Sequence, residues 1–154
     1  MNTANFRALC AAYCEGLGVA CPDLVPDDDG LVAFHLERRG VSIDAMFYPE
    51  MSTEGAFILF ELGPMRDHEH AAPDIMRALL RANFLSLQGE RPSFACHPLS
   101  GDAVLQCVCP LADTSAGKFT QLIEDGVALA LRWRKGFFLE ALDAAERQAE
   151  AATS

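Results

Sequence analysis

No apolar run in this chain approaches the roughly 18 residues that a membrane-spanning helix requires, so membrane insertion is not expected. The first residues, Met1-Asn2-Thr3-Ala4-Asn5-Phe6-Arg7, lack a basic stretch followed by an apolar one, so they do not read as a secretory signal. A cytoplasmic location is therefore the expectation. Positive charge is scarce: 12 Lys and Arg stand against 22 Asp and Glu, for a net charge of −10. Phosphate binding needs a basic face, which argues against nucleic acid as a partner. There is no glycine-rich phosphate loop, no Gly-x-Ser-x-Gly and no Cys-x-x-Cys. No internal repeat, low-complexity segment or linker divides the chain.

What is present describes one globular domain. At 154 residues the chain can bury about 70 % of its unfolded surface. Half of its residues are apolar and 22 % are charged, which is too hydrophobic for a disordered protein. The six cysteines are expected to be reduced thiols, since cytosolic disulfides are uncommon.

Apolar periodicity gives the element order. Phe6, Leu9, Cys10, Tyr13, Cys14 and Leu17 recur every three or four residues and predict a helix from Ala4 to Leu17, ended by Gly16 and Gly18. Val32, Phe34 and Leu36 alternate with polar neighbours, as do Val41, Ile43, Ala45 and Phe47 across a tight Arg38-Arg39-Gly40 return. Ala56 to Leu62 is apolar on both faces, so it is either covered on both sides or leaves one face for a partner. Three strands with short connections suggest an antiparallel meander.

Pro73 and Asp74 suit the first turn of a second helix. That helix carries Ile75, Met76, Leu79, Leu80, Asn83, Phe84 and Leu87, more apolar surface than one domain readily buries, so part of it is expected to meet another subunit. Gln88-Gly89 then leads to two strands, Ser93 to His97 and Ala103 to Cys109, around a hairpin loop. Thr114 or Ser115 caps a last helix with Phe119, Ile123, Val127, Ala130, Trp133 and Phe137 on its apolar stripe. The predicted class is α+β: α-β-β-β-α-β-β-α, a twisted, mainly antiparallel five-stranded sheet with three helices. The domain spans 1–142, followed by a solvated tail, 143–154.

Chemistry-bearing clusters are weak. Asp67 and His68-Glu69-His70 could offer imidazoles and a carboxylate, but His-x-His lacks zincin geometry and no third ligand lies near in sequence. Cys107-Val108-Cys109 places two thiols on one strand face, with Cys96 on a neighbouring strand. Buried cysteine usually acts as a small hydrophobe. Neighbouring Cys96 and His97 point to opposite faces, which argues against a nucleophile and base within that pair. The expectation is no enzyme, metal or cofactor. The alternative is a small cysteine- and histidine-based redox or metal-binding enzyme.

The element order, with Leu79-Leu80-x-Ala82-Asn83-Phe84, the two following strands, Cys109-Pro110-Leu111 and a long helix bearing Trp133, resembles the class I type III secretion chaperones, the CesT/Tir-chaperone family. The resemblance runs from about Phe6 to Leu142. The cysteine-rich hairpin and His68-Glu69-His70 depart from the family pattern. The resemblance implies a homodimer that binds the N-terminal segment of a secreted effector in extended form and keeps it soluble and secretion-competent. Nucleotide hydrolysis would fall to a separate secretion ATPase, a further partner. The expected effector groove uses the first helix (Phe6, Leu9, Tyr13) and the first three strands (Phe34, Leu36, Val41, Ile43, Phe57, Leu59). The dimer surface the resemblance implies is Ile75, Met76, Leu79, Leu80, Asn83 and Phe84.

Overall fold

The computed structural model describes residues 2–51, 54–85 and 92–153. The expected turn at Gln88-Gly89 and the side chain of Leu87 lie outside the described residues. The elements are α1 (Asn2–Leu17), β1 (Val32–Arg38), β2 (Val41–Phe47), β3 (Gly55–Gly63), α2 (Ala72–Leu85), β4 (Ser93–Cys96), β5 (Ala103–Pro110), α3 (Ala116–Arg134) and α4 (Leu139–Thr153). Every paired strand is antiparallel, and the sheet order is β1-β2-β3-β5-β4.

Strand alternation decides which face is covered. Phe34, Ile43, Ile58, Phe60 and Leu105 are buried on one face, where α3 packs across β2, β3 and β5 and α1 packs on α3. On the other face Ala33, His35, Asp44, Gln106 and Val108 are exposed. The strand that read as apolar on both sides is β3. Its Ala56, Ile58, Phe60 and Leu62 enter the core, whereas Phe57 and Leu59 remain half-buried on the open face.

Local chemistry fixes the connections. Arg39 (φ 49°) and Gly40 (φ 77°) both take left-handed conformations between β1 and β2, as a type I′ hairpin turn demands. Ser115 caps α3 by accepting a bond from the Lys118 N–H at 3.2 Å. Inside α3, Gly126 lies against the Phe60 ring so closely that an added Cβ would stand 2.2 Å from it. At the end of α3 the Arg134 guanidinium donates to three main-chain carbonyls: Leu62 at 2.7 Å, Glu61 at 2.8 Å and Gly40 at 2.9 Å. These are strand-end acceptors, and the first two lie where the β3–β5 register shifts.

One expectation is corrected: four helices occur among the described residues, not three. The last helical pattern breaks at Gly136, because Phe137 (φ 54°) and Phe138 (φ 59°) adopt left-handed conformations costly for bulky residues. Ring packing offsets that cost. Phe137 meets Trp133 edge-on at 4.8 Å, and Phe138 meets Phe94 at 5.8 Å. The proposed boundary at 142/143 falls within α4, which is exposed from Arg147 to Thr153.

A groove beside an open sheet edge

β1 and β4 are the outer strands, and they differ. Asn83 of α2 donates from Nδ2 to the Phe94 carbonyl at 2.9 Å and accepts from the Phe94 N–H at 2.7 Å. An amide side chain thereby stands in for a neighbouring strand on the short β4 edge. Along the outer side of β1, no strand pairs among the described residues. A row of main-chain donors and acceptors there is a template for an added strand.

Beside that edge runs a groove of about 340 Å³. Tyr13, Cys14 and Leu17 line it from α1, Val19, Ala20 and Pro22 from the following loop, and Phe34 to Arg38 from β1. The chain turns into this loop at Gly18 (φ 70°), where the Val19 N–H bonds back to the Cys14 carbonyl at 3.0 Å. Leu36 is half-buried and Val19 is 54 % exposed, so apolar surface remains available. At one end, Glu124 Oε1 of α3 accepts from the Tyr13 hydroxyl at 3.1 Å and from Arg38 Nε and Nη2 at 3.3 and 3.2 Å. Burial, and then the Glu124 charge, push the Tyr13 hydroxyl up to about 12.

The nine residues expected to form one effector groove are divided. Tyr13, Phe34 and Leu36 come together in the groove at β1. Phe6, Leu9, Val41 and Ile43 belong to the buried core, as do the groove-lining Tyr13 and Phe34, because their inward periodicity puts them between sheet and helices. Phe57 and Leu59 lie on the opposite, open face, in a depression of about 420 Å³ shared with Ser93, Gln106, Val108 and Pro110. Leu17, Val19, Ala20, Pro22 and Arg38 are groove residues not assigned to the site from sequence. The run of apolar residues in a loop was the available signal.

The expected dimer set divides as well. Ile75 and Leu79 are buried within the chain, and the half-buried Asn83 is bonded to β4. Met76, Leu80 and Phe84, at i, i+4 and i+8, stay exposed at 43, 70 and 71 %.

The three thiols on which the redox alternative rests, Cys96, Cys107 and Cys109, are not gathered at one point, whereas Cys10, Cys14, Cys21 and Cys109 lie near one another. Cys107 and Cys109 share the helix-covered face, opposite Ile58 and Ala56, whereas Cys96 pairs with Ala103 at the far end of β5. Burial raises the Cys14 thiol to about 11 and the Cys107 thiol to about 12, which keeps them protonated. Asp67 accepts from the His70 N–H at 2.6 Å and from its ring Nδ1 at 3.1 Å, closing a local turn. That bond lowers Asp67 and raises His70. Among the described residues no group of three or more His, Cys, Asp or Glu is placed to hold a metal ion. No helix among them is long and apolar enough to cross a membrane.

No curated protein sequence matches the chain. Solved structures do resemble it in fold. A chain from the ExsC–ExsE complex aligns with TM-score 0.67 at 17 % identity, covering 88 % of this chain and 95 % of that one. A chain from the HopA1–SchA chaperone–effector complex aligns with TM-score 0.63 at 16 % identity, over 86 % and 94 %. A third comes from the structure of the Yersinia pestis type III secretion chaperone SycH with a fragment of YscM2, with TM-score 0.59 at 13 % identity over 82 % and 98 %. At such identities the likeness establishes the fold. Residues 15–134 match the family model of the Tir chaperone protein (CesT) family, and the chain belongs to that family.

Proposed function

We propose that this chain, a type III secretion chaperone that binds secreted effector protein, receives the N-terminal segment of its effector as an added strand on the outer edge of β1. Alternate side chains of the segment enter the groove between β1 and α1. The observation that carries this reading is the asymmetry of the two sheet edges: Asn83 occupies β4, whereas β1 stands open beside apolar Leu17, Val19 and Leu36. Strand addition supplies main-chain hydrogen bonds whatever the sequence, and side-chain pockets supply selectivity. A segment held this way stays extended and secretion-competent.

A homodimer through the exposed Met76, Leu80 and Phe84 stripe of α2 completes the reading, with both copies acting in the bacterial cytoplasm. A large negative charge keeps a protein with open edges and apolar patches soluble by mutual repulsion.

The test is affinity capture from the native cell with wild-type protein and with Leu36→Asp. Leu36 is half-buried at the edge, so the variant should fold. The expected result is one secreted protein retained through its N-terminal region by wild type and lost from Leu36→Asp. Equal retention by both would reject the groove.

A further inference from the structure

Cys14 and Cys21 bracket the turn that leads into the loop wall of the groove. Cys14, in the last turn of α1, is buried. Cys21 is half-buried and packs against the core, between Ala20 and Pro22, which line the groove with Val19. The chain reverses at Gly18, and the Val19 N–H bonds back to the Cys14 carbonyl at 3.0 Å. That reversal returns the Cys21 side chain to α1. Its thiol lies against the Cys14 thiol and near that of Cys10, one turn earlier. Cys14 therefore anchors the loop through its main chain and meets it again through its sulfur. The segment from Cys14 to Cys21 is eight residues long and contains Gly16 and Gly18. A Cβ added at either glycine would meet nothing within 4 Å, so the backbone has room to adjust. Such a ring can settle at the Cα separation of about 5.5–6 Å that a disulfide prefers.

We propose that Cys14 and Cys21 are a reversible oxidation site, at which a disulfide fastens the loop wall of the groove to α1. The chemistry needs no effector segment at β1. The oxidant is a low-molecular-weight disulfide of the glutathione class. Cys21, the more accessible of the pair, gives up its proton, and its sulfur attacks one sulfur of the reagent. The reagent's S–S bond breaks. One half leaves and takes up a proton as a thiol, and the other half stays on Cys21 as a mixed disulfide. Cys14 then gives up its proton and attacks the Cys21 sulfur, expelling the second half as a thiol. Two protein thiols are oxidised to one disulfide, and one reagent disulfide is reduced to two thiols. Burial pushes the Cys14 thiol up to about 11, so it does not attack the reagent first. It reacts when the adduct on Cys21 brings an activated sulfur beside it. In a bacterial cytoplasm such a bond is a sensor rather than a staple, because the cellular thiol pool reduces it again.

The test uses the full chain carrying Cys96→Ser, which removes the exposed thiol. This protein is incubated with oxidised glutathione at mildly alkaline pH, alkylated and mapped by mass spectrometry. Chymotryptic cleavage after Leu17 separates the two cysteines unless they are bonded. The expected product joins Cys14 to Cys21, is lighter by two hydrogens, and reverts with dithiothreitol. Adding Cys14→Ala should stop the reaction at the glutathione adduct on Cys21, and adding Cys21→Ser should leave Cys14 unmodified. Adding Cys10→Ala should still allow the bond to close. In the oxidised form the Val19, Ala20 and Cys21 amides should exchange about ten-fold more slowly than in the reduced form. Tm should rise by about 5 °C. Absence of a Cys14–Cys21 bond, or a bond from Cys21 to Cys10 in its place, would overturn the site. A Cys14–Cys21 bond that leaves exchange at Val19–Cys21 unchanged would overturn the fastening of the wall.

Discussion

Gly126 is the residue on which the helix-to-sheet distance depends. A methyl group there would overlap the Phe60 ring, which is itself fully buried. Gly126→Ala gains about 1 kcal/mol of helix propensity, but overpacking of this kind costs about 1–3 kcal/mol and forces α3 outward. The expected outcome is a lower Tm despite the better helix former, measured by thermal denaturation. Buried thiols give a second consequence. Burial raises Cys10, Cys14 and Cys107 above the ordinary 9.0, with Cys14 at about 11 and Cys107 at about 12. The unfolded chain therefore loses these protons first as pH rises. Their contribution to stability is fully present below pH 9 and falls away between about 9 and 12. Denaturant midpoints measured from pH 7 to 11 should be level at first and then decline, and Cys14→Ala should flatten part of the decline.

At the scale of elements, Asn83 joins α2 to the β4 edge. Asn83→Ala leaves the Phe94 N–H and carbonyl without those bonds, at a cost of about 1–3 kcal/mol. It also opens a second sheet edge, so aggregation on heating should increase along with the lower Tm. Strand positions were legible in the sequence because β1 and β2 alternate strictly, and the Arg39-Gly40 turn carried its own signal. The break between α3 and α4 was not legible. Trp133 and Phe137 are four residues apart, so both fit a continuous helix stripe, and periodicity cannot register a reversal that keeps both in the core. The groove was legible only in part. Tyr13, Phe34 and Leu36 follow from periodicity. Val19, Ala20 and Pro22 reach it because Gly18 turns the loop back, a path that composition does not specify. The role of Asn83 depends on a contact with Phe94 that sequence spacing does not reveal.

At the scale of the whole molecule, one face of the sheet is closed by helices and one edge by a side chain, while the other face and the β1 edge are open among the described residues. The α2 stripe is apolar over two turns and exposed, which is unusual unless something covers it. Light scattering at micromolar concentration should give twice the chain mass for wild type. Leu80→Glu with Phe84→Glu should give the mass of one chain while preserving the far-ultraviolet circular dichroism spectrum. A monomeric wild type would reject the dimer and leave the groove untouched, since β1 and α2 are separate surfaces. The decisive measurement is amide hydrogen exchange on the complex with the captured effector segment, compared with the free chaperone. Strand addition predicts new protection along Val32–Arg38 and none at Ser93–Cys96. Protection at β4, or no change along β1, would contradict it.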